Sequence, residues 1–350
     1  MEEARQFPYR LKSVRVSLPI RMKKGIYILA NDIVYDQLVA LLNSIRANYS
    51  KDIPICIIPY DDNIDLVKKE IIKRKNVFLF EDEKIIKKWE DFAREAWQIY
   101  CEFAEKQEGN LFGRHTLNVH RKLCVFDGHF ERFIFLDVDI LAMGSLDSIF
   151  EQLNKKEFVV YDFQHRDPSH VYNLYSANLP RVFNQEQISS NIFCTGFFAS
   201  KQGLFNKKKA WLLSLFKKGE AEILYPKSAE QSILNYMIMR SKIPVCNLAF
   251  NLPKSKVTGN SVTSTHFKEK DHILYDKGNR LTYLHYIGIH SEPFRRLCAG
   301  ENLDILYREV FLYYRYLHEP EKMPNFKGKA RPYKQSASIL KKILRKIKLK

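Results

Sequence analysis

Asp137 and Asp139 stand two residues apart, directly after the apolar run Phe133-Ile134-Phe135-Leu136. In extended backbone, residues i and i+2 project to the same side. Two carboxylates so placed can grip one hard cation, Mn²⁺ or Mg²⁺. The turn-like stretch Ala142-Met143-Gly144 follows, which puts the pair at the carboxyl end of a strand, where open α/β sheets bind ligands. The chemistry such a cation serves is departure of a diphosphate. Bridging both phosphates, it stabilises the negative charge that builds on the leaving oxygen. An isolated Asp-x-Asp is also what a strand end with two solvated acids looks like, so the neighbouring elements must decide.

Those elements alternate. Ile26-Tyr27-Ile28-Leu29-Ala30 reads as a buried first strand, and Leu38, Leu41, Leu42 and Ile45 predict a helix over 32–49. Strands follow at 54–58 and 77–80 with a helix at 67–75 between them, and a charged helix spans 84–108. A helix over 121–130 leads into the acidic strand, and further strands are expected at 158–161, 192–199 and 284–289. Helices are expected at 229–239 and 303–317. Residues 163–190 are polar and irregular, as active-site loops are, and 251–281 are loop-rich. Strands alternating with helices imply a mostly parallel sheet with right-handed crossovers. There is no internal repeat.

With 350 residues, 45% of them apolar, the chain can build one large α/β domain with extensions. Cysteines at 56, 101, 124, 194, 246 and 298 form no Cys-x-x-Cys pair, which points away from zinc and disulfide frameworks and toward a reducing compartment. No segment has the roughly 20 consecutive apolar residues of a membrane span, and the N-terminus has no signal-peptide pattern. A cytoplasmic protein is expected. The net charge is +17, yet no ordered aromatic platform or zinc knuckle points to nucleic acid.

The motifs along residues 25–295 resemble the GT-A glycosyltransferases, and family 8 above all, the group of glycogenin and the bacterial galactosyltransferases. The resemblance implies an α/β fold of GT-A type, a Rossmann-like mixed, mostly parallel sheet flanked by helices. It also implies transfer of a hexose from a nucleotide sugar, UDP-sugar by family habit, to an acceptor hydroxyl with retention of configuration. Leu29-Ala30-Asn31-Asp32-Ile33-Val34-Tyr35 looks like the nucleotide-binding opening. By that match Ala30, Asp32 and Tyr35 surround the base and ribose; a helix cap at Asp32 and a packed tyrosine are the plain alternative. Arg121-Lys122-Leu123 is similar to the basic segment near the diphosphate, with Lys122 offsetting phosphate charge or lying on the surface.

Cys194-Thr195-Gly196-Phe197-Phe198 resembles the small-residue strand, with Cys194 where asparagine is common and Gly196 permitting close approach. Glu230-Gln231-Ser232-Ile233-Leu234-Asn235 resembles the Asp-Gln-x-x-Leu-Asn helix start. The match places Gln231 near the anomeric carbon and Glu230 on sugar hydroxyls. Asp162, ending the strand at 158–161, falls where an acid binds a donor-sugar hydroxyl. His285-Tyr286-Ile287-Gly288 resembles the late His-Phe-x-Gly, making His285 the third metal ligand beside Asp137 and Asp139 and bringing Gly288 to the diphosphate. Ser291-Glu292-Pro293-Phe294 departs from the family's Lys-Pro-Trp, so the phosphate-binding lysine is missing from its place, and His290, Arg295 or Arg296 are the candidates to replace it.

The expected organisation is a basic leader (1–24), a glycosyltransferase domain (25–325), and a linker with a basic amphipathic helix (326–350). In that last segment Ile339, Leu340, Ile343, Leu344 and Ile347 share one helical face and Lys341, Lys342, Arg345, Lys346, Lys348 and Lys350 supply charge. Such a helix suits an anionic membrane, where a lipid-linked acceptor would lie; carbohydrate and protein acceptors stay open. Two rival readings remain: an inverting transferase, which requires a carboxylate base at the acceptor, and a membrane-associated scaffold on the same fold without activity.

Overall fold

The apolar runs become strands covered on both faces. The computed structural model describes residues 22–103 and 117–333. Seven strands form the central sheet: β1 (Met22–Ala30), β2 (Ile55–Pro59), β3 (Val77–Leu79), β4 (Phe130–Leu136), β6 (Phe158–Val160), β7 (Phe197–Lys201) and β8 (Val245–Asn247), in the order β3-β2-β1-β4-β7-β6-β8. β1, β2, β3 and β4 are parallel, as are β6 and β8; β7 alone runs antiparallel to its neighbours β4 and β6. β5 (Ile140–Ala142) leaves the sheet immediately after the acidic pair.

Successive side chains of a strand face opposite layers. Along β1, Tyr27 and Leu29 join Phe133, Phe135, Phe158 and Phe198 in one core. Ile26, Ile28 and Ala30 join Ile55, Ile57, Ile134 and Leu136 in the other. Burial on both sides is why these strands read as unbroken apolar runs. Seven α-helices of eight or more residues are described: α1 (Tyr35–Asn48), α2 (Asp65–Ile72), α3 (Glu83–Phe103), α4 (Lys209–Lys217), α5 (Ala229–Arg240), α6 (Ser291–Cys298) and α7 (Arg308–Tyr316). α3, α4 and α5 cover the first face and α1 and α2 the second. A third core, with Phe294, Leu297, Val310, Phe311 and Tyr314, packs α6 and α7 beside the strand that carries His285.

An aromatic stack fixes β7, the antiparallel strand of the central sheet, against both neighbours. Phe198 lies 5.1 Å from Phe135 and 5.6 Å from Phe158. A one-residue slip would turn these rings to the opposite face. It would also carry Gly196 away from Asp137, with which it shares a backbone hydrogen bond of 2.7 Å.

Several boundaries differ from the sequence expectations. The strand expected at 192–199 begins only at Phe197, because Phe193 and Thr195 bond to side chains of α5 rather than to a neighbouring strand. The segment expected as a helix over 121–130 is a 3₁₀ helix, Val119–Asp127. The loop-rich stretch 251–281 carries an antiparallel ribbon, β9 (Lys268–Lys270), β10 (Ile273–Asp276) and β11 (Asn279–Arg280). The late strand is only β12 (Tyr283–His285), after which Gly288, with φ 78°, turns the chain into α6. The last helix starts at Arg308, behind a short strand pair, Leu303–Asp304 with Arg331–Pro332. The amphipathic helix expected at 336–350 and most of the leader lie outside the described residues. Among the described residues no helix is long and apolar enough to cross a membrane.

Candidate metal and donor site

β4 ends at Leu136, and Asp137 and Asp139 follow it into the turn toward β5. β5 pairs antiparallel with β12, setting Ile140 opposite His285. The Tyr286 amide bonds the Asp139 carbonyl at 2.9 Å, and the His285 amide bonds the Asn260 carbonyl at 2.7 Å. Behind His285, Tyr283 stacks on Phe197 with centroids 4.4 Å apart. This pairing carries a histidine 146 positions downstream to the acidic pair. Among the described residues, Asp137, Asp139 and His285 form the one group of three metal-ligating side chains, with one ligand atom from each within 4.8 Å of the others. His285 Nε2 lies 3.2 Å from Asp139 Oδ1.

Gly196 makes room for this convergence. A Cβ built there would stand 2.5 Å from His285 Cε1, 3.1 Å from His285 Nε2 and 3.0 Å from Asp137 Oδ2. The close approach expected of Gly196 is thus made by the triad's own side chains.

Lys122 is not on the surface; it is 1% exposed. Its Nζ donates to Asp137 Oδ1 at 3.1 Å, to Glu230 Oε1 at 2.9 Å and to the Thr195 carbonyl at 3.4 Å. Thr195 Oγ1 donates to the same Glu230 oxygen at 2.7 Å. A buried ammonium persists only where charge and hydrogen bonds offset its desolvation, and the two carboxylates do so. Burial alone would raise the Glu230 carboxyl, but the Lys122 ammonium outweighs it and holds it down at about 2. Burial raises Asp137 against the pull of Lys122. Burial would depress His285, yet the adjacent Asp139 carboxylate lifts it well above its usual value, while Asp139, for its part, is lowered.

Gln231 spans two loops: Oε1 accepts from the Thr195 amide at 3.3 Å and Nε2 donates to the His170 carbonyl at 3.0 Å. Asp162 is 4% exposed. Its Oδ1 accepts from the Gln164 amide at 2.7 Å, while Oδ2 is shielded and has no hydrogen-bond partner of normal geometry. Burial pushes this carboxyl up to about 7, against partial relief from backbone amides at Gln164 and Cys194. The Cys194 thiol accepts from the Gly196 amide at 3.5 Å, inside the small-residue turn.

Beside Asp137 and Asp139 opens a cleft of about 330 Å³, lined by Leu29, Ala30, Asn31, Ile33, Val34, Tyr60, Val138 and Ser291. Ala30 lines this cleft. Asp32 and Tyr35, expected around the base, are engaged elsewhere. Asp32 accepts from the amides of Leu66 and Val67, both at 3.0 Å, capping α2. Tyr35 donates to Glu70 at 3.2 Å, and the Arg315 guanidinium lies 5.6 Å from its ring. Ile33, Val34 and Tyr60 take their place on the cleft wall. Tyr60 directly follows β2 at its carboxyl end, which is the signal that could have found it. Gly288 meets nothing within 4 Å of a would-be Cβ, and its φ of 78° serves the turn into α6. Of the candidates to replace the missing lysine, Arg296 is tied to Glu301 at 2.7 Å and Glu292 at 3.3 Å, while His290 and Arg295 are exposed.

No family model matches the sequence, and no curated protein does. Solved structures match. The bifunctional glycosyltransferase WbbM superposes with a TM-score of 0.52 at 14% identity, over 86% of this chain and 52% of that one. The chain therefore spans about half the length of WbbM. The galactosyltransferase LgtC, solved with donor and acceptor sugar analogues, superposes with a TM-score of 0.51 at 14% identity, over 83% of this chain and 95% of that one. With its mostly parallel sheet and the acidic pair at the end of β4, the chain has the GT-A glycosyltransferase fold.

Proposed function

We propose that the protein is a metal-dependent glycosyltransferase of the family 8 type, moving a hexose from a nucleotide sugar, UDP-linked by that resemblance, to an acceptor hydroxyl with retention of configuration. The observation that carries this is the convergence of Asp137, Asp139 and His285 beside the cleft. Two carboxylates and an imidazole suit Mn²⁺ or Mg²⁺, and the space kept by Gly196 is what such a donor set requires. Bound there, the cation would supply Lewis-acid stabilisation of the departing diphosphate.

The chain's own residues do the rest. Ala30, Ile33, Val34 and Tyr60 enclose the nucleoside. Lys122 keeps positive charge beneath Asp137, held by Glu230 and Thr195. Gln231, its carboxamide held between the Thr195 amide and the His170 carbonyl, is the group we assign to steadying a developing oxocarbenium ion without trapping it. Asp162, whose carboxyl burial raises to about 7, offers a hydrogen bond to a donor-sugar hydroxyl. No protein nucleophile is required if the leaving phosphate oxygen takes the acceptor proton. The acceptor is a carbohydrate, a lipid-linked sugar or a protein. A cytoplasmic enzyme peripheral on an anionic membrane through 336–350 is the setting we favour.

The test is hydrolysis of a nucleotide-sugar panel with Mn²⁺ or Mg²⁺, with Asp139→Ala as the comparison. Loss of an outer partner of a metal ligand typically costs 10–100-fold, so loss of a ligand should cost about 100-fold or more. A folded D139A protein as active as wild type would refute the assignment. The anomer formed, read by proton NMR, separates retention from inversion.

A further inference from the structure

Behind the acidic pair, a single carboxamide is set into an apolar wall. Gln37 stands near the start of α1 and is 4% exposed, and its Oε1 is shielded with no hydrogen-bond partner. Glutamine is mostly a surface residue, and stranding such an atom costs about 1–3 kcal/mol. Leucine would fill the same space without that cost. The amide therefore calls for a partner that the metal-free protein does not give it.

The choice of partners is short. Gln37 borders a crevice whose apolar walls include Ile140, Phe294 and Phe311, and whose other polar side chains are Tyr286 and Asp139. The crevice has no room for a water molecule, so solvent cannot serve the amide there. The Tyr286 hydroxyl spends its proton on the Tyr307 carbonyl at 2.9 Å. Asp139 remains. Its Oδ1 lies 3.2 Å from His285 Nε2. A cation held by both residues takes both atoms: the imidazole binds metal only without its Nε2 proton, so Asp139 loses that donor. Ligating carboxylates are in turn hydrogen-bonded by outer-shell groups. A glutamine can supply such a bond, since a half-turn of its amide exchanges Oε1 with Nε2 and replaces an unpaired acceptor by a donor.

We propose that Gln37 is a positioning residue for the metal: with the cation bound, its carboxamide NH₂ donates to the Asp139 carboxylate and holds it in the ligating orientation. This rests on the metal-dependent transferase reading. The unpaired oxygen then belongs to the metal-free form.

Two substitutions test it on the full chain. Gln37→Leu keeps the bulk and removes the donor, and Gln37→Met does the same with an unbranched chain. Calorimetry of Mn²⁺ with UDP present should show affinity about 10- to 100-fold weaker for both. Their urea midpoints without metal should match or exceed wild type, because an unpaired buried amide is gone. Phe311→Leu, in the same wall, should do the reverse, with a lower midpoint and wild-type Mn²⁺ affinity. Wild-type affinity in Q37L and Q37M overturns the proposal, and so does a loss of affinity that F311L shares, which marks a packing effect. The wild-type titration separates the two ideas. If wild type binds no Mn²⁺ with UDP, the transferase reading falls as well; if it binds and Q37L binds equally, only the role of Gln37 falls.

Discussion

Gly196→Ala adds one methyl group and strikes the proposed metal triad. The φ of Gly196 lies outside the left-handed region, so alanine meets no backbone strain there. The added Cβ would instead stand 2.5 Å from His285 Cε1 and 3.0 Å from Asp137 Oδ2. Carbon atoms rest at about 3.5–4.0 Å, so His285 must retreat by about 1 Å. Metal sites tolerate about 0.2 Å in ligand distance, several times less. Overpacking of this kind costs about 1–3 kcal/mol. Without metal the imidazole can rotate away and relieve most of it; with metal it cannot, so the cost falls on binding. At 1.4 kcal/mol per tenfold, Mn²⁺ affinity should fall about 5- to 150-fold. Calorimetry with Mn²⁺ and UDP reads this directly, and melting curves with and without Mn²⁺ should show a smaller metal-induced rise in Tm. Gly288→Ala is the counterpart. Its Cβ meets open space, but its φ of 78° strains alanine, so it should lose about 1 kcal/mol of stability and keep its metal affinity. A G196A protein that folds and binds Mn²⁺ like wild type would remove the triad as the metal site.

Lys122→Met should destabilise the fold by about 3–5 kcal/mol, since it strands Asp137 and Glu230 without their shared cation; urea unfolding measures it, and adding Glu230→Gln should recover part of the loss. In the wild type, the Glu230 contribution is fully present above the unfolded carboxyl value and disappears as pH falls toward about 2. Lys122→Met should therefore flatten the acid limb of stability against pH, and an unchanged acid limb would refute the ion pair. Asp162 works in the opposite sense. With its folded value raised to about 7, the folded state holds a proton that the unfolded state releases, so stability drops as pH rises from about 4 to 7. Asp162→Asn should be more stable than wild type at pH 8 and differ least at pH 4; denaturant midpoints across that range check it.

The parallel half of the sheet was legible because its strands are buried on both faces and read as apolar runs between helices of plain amphipathic spacing. The edges were less so. Lys268-Glu269-Lys270 is exposed throughout, so β9 has no hydrophobic alternation to betray it. Its hairpin depends on Asp271 and His272, both at positive φ, neither flanked by the glycine that usually marks such a turn. Ile192 and Phe193 look like strand residues by type. What keeps them out of β7 is the Asn235 carboxamide, which bonds both the amide and the carbonyl of Phe193 at 2.9 Å. That partner is 42 positions away, beyond any window of local pattern.

The site divides along the same line between local and distant information. That Asp137 and Asp139 face one way follows from strand geometry alone. That His285 joins them depends on β12 pairing with β5, a contact no spacing encodes; resemblance supplied it. Asp32 shows the limit most sharply. A carboxylate just past a strand end can serve a ligand or a helix, and the residue type is the same for both. Here α2 begins without a side-chain cap from its own N-cap residue, Ile64, and its amides draw on Asp32 instead, 34 positions upstream. The helix thus takes the carboxylate that the sequence offered to the nucleotide, and leaves Ile33, Val34 and Tyr60 as the cleft wall. On the proposed nucleotide-sugar reading, base recognition then rests on apolar and aromatic surface more than on charge. Tyr60→Ala should then weaken UDP binding more than Asp32→Asn does, once each is corrected for its loss of stability.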